Sequence, residues 1–298
     1  MDRLHDTHSA LAPADPHGDA RDDCAARSGR RMRSHGGETE ESIAGLAAAV
    51  EQEIVPRLVQ GHRIAATQDA APEALRRVDA ADVEEFARIV LTADIAAVEA
   101  FVAMLRARPI GLEAIYMDLL EPTARRLGVM WDEDLCDFAD VTLGMGRLQQ
   151  VLRALGSEFR RELECAQHGR RLLLIPAPGE QHTFGLLIVA DFFARDGWEV
   201  RGCDAVGNGA FRAVREEWFD VVGLSAGCAG RLDVLAADIR AIRAASRNPA
   251  VGVLVGGPVF IAHPEYAARV GADGMAVDGR QAPGAADEVL AMLARRSQ

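Results

Sequence analysis

Apolar residues follow two different periods along this chain, and the change between them marks its organisation. From Ser42 onward, Ile43, Leu46, Val50, Ile54 and Leu58 recur at helical spacing until Gly61, which predicts an amphipathic helix. A second stripe runs from Val78-Asp79 to Leu91 through Val83, Phe86 and Val90. Asp94 is placed to cap the next helix, Ile95 to Leu105, which ends before Pro109. A further helix is predicted from about Gly111 to Leu127, kinked at Glu121-Pro122. Another begins near Glu133 and carries Phe138, Val141, Met145, Leu148, Leu152 and Leu155. Four helices from residue 78 onward, joined by short connections, predict an antiparallel bundle.

Beyond Gln167 short apolar runs alternate with helical patterns. Strands are expected at Leu172 to Ala177, Val200 to Ala205, Val221 to Ser225, Val251 to Gly256 and Met275 to Asp278. Helical patterns lie at His182 to Ala194, Gly209 to Glu217, Arg231 to Ala245, Pro264 to Val270 and Ala285 to Arg295. The alternation predicts an α/β fold, a Rossmann-like parallel sheet of five strands with helices on both faces, preceded by the four-helix bundle. The expected division is a tail over residues 1–40, a helical region over 41–166 with the bundle from about 75, and an α/β domain over 167–298. The tail is rich in Asp, Arg, His, Gly and Ser with almost no apolar periodicity, and is expected to be disordered.

Composition narrows the function classes. The formal net charge is -12, and all 33 basic residues are arginine, so nonspecific attraction to nucleic-acid phosphates is not expected. The short clusters Arg30-Arg31-Arg33 and Arg160-Arg161 read as solvated faces. Five scattered cysteines without a C-x-x-C pair argue against a disulfide framework or a zinc site and for reduced thiols. With no bilayer-length apolar run and no secretory segment, a soluble cytoplasmic protein is expected.

The stretch RRLLLIPAPGEQHTFG, Arg170 to Gly185, carries the candidate chemistry. A buried strand runs into a Pro- and Gly-bearing turn, then into Glu180-Gln181-His182, with Gly185 spaced to let another group approach the backbone. A histidine after the first strand of such a sheet lies where these folds bind ligands, and a metal is the obvious candidate. Neither Gly-rich phosphate fingerprint is present, and Pro176-Ala177-Pro178-Gly179 cannot form that cradle. Ser225 ends the third strand, and Gly256-Gly257 close the fourth. Paired glycines suit either a bulky group against the backbone or a tight strand-to-helix turn. Three such features at matching strand ends are more specific than any one.

Together they resemble the signature of cobalamin-binding domains, D-x-H-x-x-G, then S-x-L, then G-G. Here these are Glu180 to Gly185, Ser225-Ala226-Gly227 and Gly256-Gly257. The bundle resembles the helical cap over the corrin, so the resemblance covers about residues 75 to 298. More narrowly, MWDEDLCDFADVTLGMGRLQ, GEQHTFG and VADFFARDGW resemble the AerR/PpaA-type cobalamin-binding antirepressors of photosynthesis genes in purple bacteria. The most specific part is F-x-D-V-T-x-G-x-x-R-L-Q, Phe138 to Gln149.

The resemblance implies His182 as the cobalt ligand that displaces the cofactor's own base, with Glu180 holding its other ring nitrogen. The displaced tail is then expected along Ser225, Gly256 and Gly257, and Trp131 at the cap surface facing the corrin, the alternative for Trp131 being ordinary bundle core. Glu180 replaces the family's aspartate, and Gly227 stands in place of the leucine of S-x-L. In related light-sensing repressors that hold adenosylcobalamin, nine residues separate this tryptophan from a Glu-His pair. Here Val141-Thr142 occupy those positions, so aquo- or hydroxocobalamin is expected over adenosylcobalamin. A tail histidine, His5 or His8, is the candidate upper ligand.

The function implied is a non-enzymatic sensor in which cobalamin reshapes a surface that binds the repressor of bacteriochlorophyll and carotenoid genes, with light or oxygen as input and no direct DNA contact. A corrinoid carrier subunit of a methyltransferase system and a haem-binding redox sensor are the alternatives on the same scaffold.

Overall fold

The computed structural model describes residues 77–162, 167–180, 183–202 and 208–296. The expected tail with His5 and His8, the helix expected from Ser42 to Gly61, and His182 lie outside the described residues.

Capping aspartates set the helix starts. Helix α1 (Ala80–Thr92) begins at Asp79, whose carboxylate accepts the Asp82 N–H at 2.9 Å while Asp82 accepts the Asp79 N–H at 3.2 Å. Asp94 caps α2 (Ile95–Arg106) by accepting the Ala97 N–H at 2.9 Å. The third rod joins α3 (Leu112–Ala114), a π-helical turn (Ile115–Leu120) and α4 (Glu121–Asp132) without a break. The irregularity expected at Glu121-Pro122 therefore takes the form of a wider turn just before a proline that has no N–H to return. Helix α5 (Phe138–Phe159) starts later than the expected position near Glu133. Its start is set by a capping box between Asp137 and Asp140, 2.8 and 3.1 Å, and Asp134 reverses the chain before it with φ 56°.

The sheet consists of β1 (Arg171–Pro176), β2 (Glu199–Gly202), β3 (Val221–Ser225), β4 (Gly252–Gly256) and β5 (Gly274–Met275). All pairings are parallel and the order is β2-β1-β3-β4-β5. The order reverses beside β1, which puts the ligand crevice of such folds at the carboxyl ends of β1 and β3. Strand β5 is shorter than expected because Asp278 already caps the next turn, accepting the Gln281 N–H at 2.9 Å.

Side chains alternate across the sheet. Leu173, Ile175, Val222, Leu224, Val253 and Val255 pack against α7 (Asn208–Glu216), α8 (Leu232–Ala245), α9 (Pro258–Ala262) and α10 (Glu265–Val270). Leu172, Leu174, Val221 and Leu254 pack against α6 (Phe184–Arg195) and α11 (Ala282–Arg296). Burial on both faces is why the strands read as continuous apolar runs. Helix α6 serves two cores: Phe184, Ile188 and Phe192 join the bundle, while Phe193 packs on the sheet. Bundle and sheet thus fall in one compact unit, Ala66–Gln298. Among the described residues, no helix is long and apolar enough to cross a membrane.

Candidate functional site

Parallel register brings three of the singled-out segments side by side. Pro176 pairs with Ser225, and Ser225 with Gly256, so the loops after β1, β3 and β4 leave the sheet at one level. The alignment continues one residue further, with the Ala177 N–H donating to Ser225 O at 2.7 Å and the Ala226 N–H to Gly256 O at 3.0 Å. The residues there are small. Gly257 has φ +98°, and a Cβ on it would lie 2.5 Å from Ala226 O and 2.9 Å from Ser225 Oγ. The tight strand-to-helix turn therefore accounts for Gly257 by itself. Gly256 is less constrained, its nearest neighbour to a Cβ being Ala276 O at 3.3 Å.

Glu180 ends the described part of the loop after β1, and its Oε2 accepts the Gly227 N–H at 2.6 Å. Gly185 sits in the first turn of α6, and among the described residues nothing lies within 4 Å of where a Cβ would be. A small pocket of about 40 Å³ lies between the loops after β1 and β3, lined by Pro178, Gly179, Glu180, Gly227, Cys228 and Arg231 among others. Among the described residues, no group of three or more His, Cys, Asp or Glu is arranged to hold a metal ion. On the bundle, Trp131 in the last turn of α4 is 49% exposed, with Leu135 60% and Phe138 72% exposed. Trp131 is thus not bundle core. Small residues at three adjacent strand ends, the room left beside Gly185 by the described residues and exposed apolar side chains on the bundle fit a large, flat cofactor.

The B12 binding domain family matches residues 170–286. A Rhodobacter capsulatus protein, described as an uncharacterized 20.5 kDa protein in the bchF-crtJ intergenic region, is 32% identical over 169 residues, 56% of this chain and 88% of that protein. The chain belongs to the AerR/PpaA-type family of cobalamin-binding proteins. Its fold is shared with the Methanosarcina barkeri monomethylamine corrinoid protein, with a TM-score of 0.58 at 12% identity over 71% of this chain and 100% of the other. At that identity the likeness is one of fold.

In this AerR/PpaA-type chain the string Phe138 to Gln149 has structural work in the bundle. Asp140 completes the capping box, and Thr142 Oγ1 donates to Phe138 O at 2.7 Å. A Cβ on Gly144 would meet Leu127 at 3.1 Å and Leu91 and Val90 at 3.3 Å, so glycine lets α5 cross close to α1 and α4. Arg147 donates to Val90 O at 2.5 Å and Leu91 O at 3.1 Å, capping the carbonyl end of α1. Val141 is half-buried and Thr142 exposed.

Sequence reasoning missed the polar junction between bundle and sheet. Asp191 is 8% exposed, accepts the Tyr116 hydroxyl at 2.9 Å and pairs with Arg160 at 2.5 Å. Arg160 is therefore not simply a solvated cluster, as had been expected. Tyr116 stacks on Phe159 at 4.0 Å, and Arg195 lies over Phe159 and Phe192 at 4.3 and 4.7 Å. Burial and the Asp191 carboxylate push the Tyr116 hydroxyl's pKa up. The available signal was an aspartate at helical spacing with Phe184, Ile188 and Phe192.

Proposed function

We propose that this chain is a cytoplasmic, cobalamin-responsive regulator that acts by binding a repressor of photosynthesis genes and not by binding DNA. The observation that carries the cofactor is the common level of the Glu180 loop, Ser225 and Gly256 at three adjacent strand ends. The regulatory role is supported by the relative in the bchF-crtJ intergenic region, a locus of photosynthesis regulators.

In this reading the His182 imidazole would ligate the cobalt, since a neutral ring nitrogen suits such an ion. Glu180 steadies the histidine loop. Ser225, Gly256 and Gly257 would border the cofactor's nucleotide tail, Gly185 would leave room beside it, and Trp131 would pack on the corrin ring. With Val141 and Thr142 in place of Glu-His, aquo- or hydroxocobalamin would be the form held, with His5 or His8 as a candidate second protein ligand to the cobalt. Bound cobalamin would provide a cobalt centre whose upper coordination responds to light or redox state. The chain's part is to couple that centre to a surface, and coupling requires that cobalamin favour the partner-binding state by differential affinity.

The test is a displacement assay with the cognate repressor on its operator DNA. Addition of the hydroxocobalamin-loaded protein should release the DNA, and the cobalamin-free protein should not. Equal behaviour of the two forms would sink the regulatory reading. The second reading, a corrinoid carrier, is favoured by the fold shared with the monomethylamine corrinoid protein. It predicts that methylcobalamin on this protein is demethylated with a thiol acceptor and a partner methyltransferase, an outcome the regulator reading does not produce.

A further inference from the structure

Two backbone segments at the site are joined by a contact that depends on the identity of both its residues. The Gly227 N–H donates to Glu180 Oε2 at 2.6 Å, and a Cβ on Gly227 would itself lie 2.6 Å from that oxygen. A carboxylate can reach this amide only because residue 227 has no side chain. Around the contact the same two segments are tied twice more: the Ala177 N–H donates to Ser225 O at 2.7 Å, and Arg231 Nη1 donates to Pro178 O at 3.4 Å. Arg231 also lies over Gly179, which at φ +73° turns the chain into Glu180, whose N–H closes the turn on Ala177 O at 2.9 Å. On its far side the β3 loop is held to β4 through Ala226 and Gly256 at 3.0 Å.

We infer that Glu180 and Gly227 form a matched pin that fixes the loop after β1 against the loop after β3, so that Glu180 positions His182 through the backbone two residues away. The inference rests on the cobalamin reading for its consequence, because the loop so fixed is the one that would present the cobalt ligand. A charge-assisted hydrogen bond to a backbone amide is among the stronger links available to a loop. Arg231 is the second positioning residue, holding the turn from its outer side.

The pin makes predictions that a carboxylate serving only as the imidazole's partner does not. Gly227→Ala leaves Glu180 chemically intact but drives its carboxylate off the amide. It should speed hydroxocobalamin loss from the full-length holoprotein by roughly tenfold to a hundredfold, as removal of an outer support of a metal ligand does, and change the bound cofactor's absorption spectrum. Glu180→Ala should do the same. Glu180→Gln, whose amide oxygen can still accept the Gly227 N–H but carries no charge, should fall between wild type and Glu180→Ala in cofactor retention. Pairing Gly227→Ala with Glu180→Asp withdraws the carboxylate from the added methyl, so the double variant should lose less than the sum of the single effects.

Amide exchange at Gly227 in the cobalamin-free protein reads the pin without the cofactor: slow in wild type, intermediate in Glu180→Gln and fast in Glu180→Ala. If that exchange pattern holds and wild type retains no hydroxocobalamin, the cofactor reading fails while the pin stands. If Gly227 exchanges equally in all three, or if folded Gly227→Ala holds cobalamin like wild type, the pin is wrong.

Discussion

The Tyr116 hydroxyl donates to Asp191 Oδ2 at 2.9 Å, linking the π-helical turn of the bundle to a helix that packs on the sheet. Arg160 holds the other carboxylate oxygen at 2.5 Å, so both oxygens of a buried acid are engaged. Removing the hydroxyl leaves Asp191 still paired, whereas removing the acid leaves a phenol and a guanidinium without their partner. Tyr116→Phe should therefore cost about 1 kcal/mol in urea denaturation and Asp191→Ala about 2 kcal/mol, since the Arg160 guanidinium can turn to water. Equal costs would show that the junction is held by ring packing alone.

Acid should loosen the same junction. Glu113 accepts from Arg195 at 2.8 Å and from Arg280 at 2.6 Å. Burial raises its carboxyl pKa, but the two guanidinium groups outweigh burial and the net shift is downward. Asp82 behaves alike, burial raising its pKa and Arg108 more than offsetting it. Groups with lowered folded pKa stabilise the fold above their unfolded values, about 4. That contribution is lost as pH falls through the lowered folded values. Glu113→Gln should flatten the loss of stability as pH falls below about 5. An unchanged slope would mean that Glu113 contributes nothing to acid sensitivity.

Much of this architecture was legible because local signals were strong. Asp79 and Asp94 announced helix starts that their side chains do make, and the runs at Leu172, Val221 and Val251 announced strands buried on both faces. The start near Glu133 failed because acidic, helix-compatible residues precede the actual cap at Asp137. The strand ends of Ser225 and Gly256 could be matched by pattern, but their lateral register could not, since pairing partners are far apart in sequence. For the same reason nothing in the sequence announced that Tyr116 meets Asp191, or that Glu180 reaches Gly227. Long-range polar contacts have no period to read.

Two glycines at the site should respond in opposite ways. Gly257→Ala places a side chain in a left-handed conformation and 2.5 Å from Ala226 O, and should destabilise the cobalamin-free protein by roughly 2 kcal/mol or more. Gly185→Ala meets nothing within 4 Å among the described residues and lies in a helix, so the cobalamin-free protein should be unchanged or gain up to about 1 kcal/mol. Cobalamin retention should nonetheless weaken in Gly185→Ala if the space beside it receives the cofactor. Thermal unfolding and gel filtration of both variants check the pair.

Trp131 gives an optical handle. At 49% exposure it contributes little to the bundle, so Trp131→Phe should change stability by no more than about 0.5 kcal/mol. Trp198, by contrast, is 4% exposed and packs edge-on against Phe193 at 5.2 Å. Hydroxocobalamin should quench wild-type fluorescence strongly and Trp131→Phe much less. Equal quenching would place Trp131 away from the cofactor.

The most direct measurement is an absorption titration of the purified protein with hydroxocobalamin, in the dark and after illumination, beside His182→Ala. A shifted spectrum that survives desalting in wild type and is lost in the variant is the predicted result. Retention of the same spectrum by His182→Ala would remove His182 from the cobalt, and retention by neither protein would contradict cobalamin binding itself.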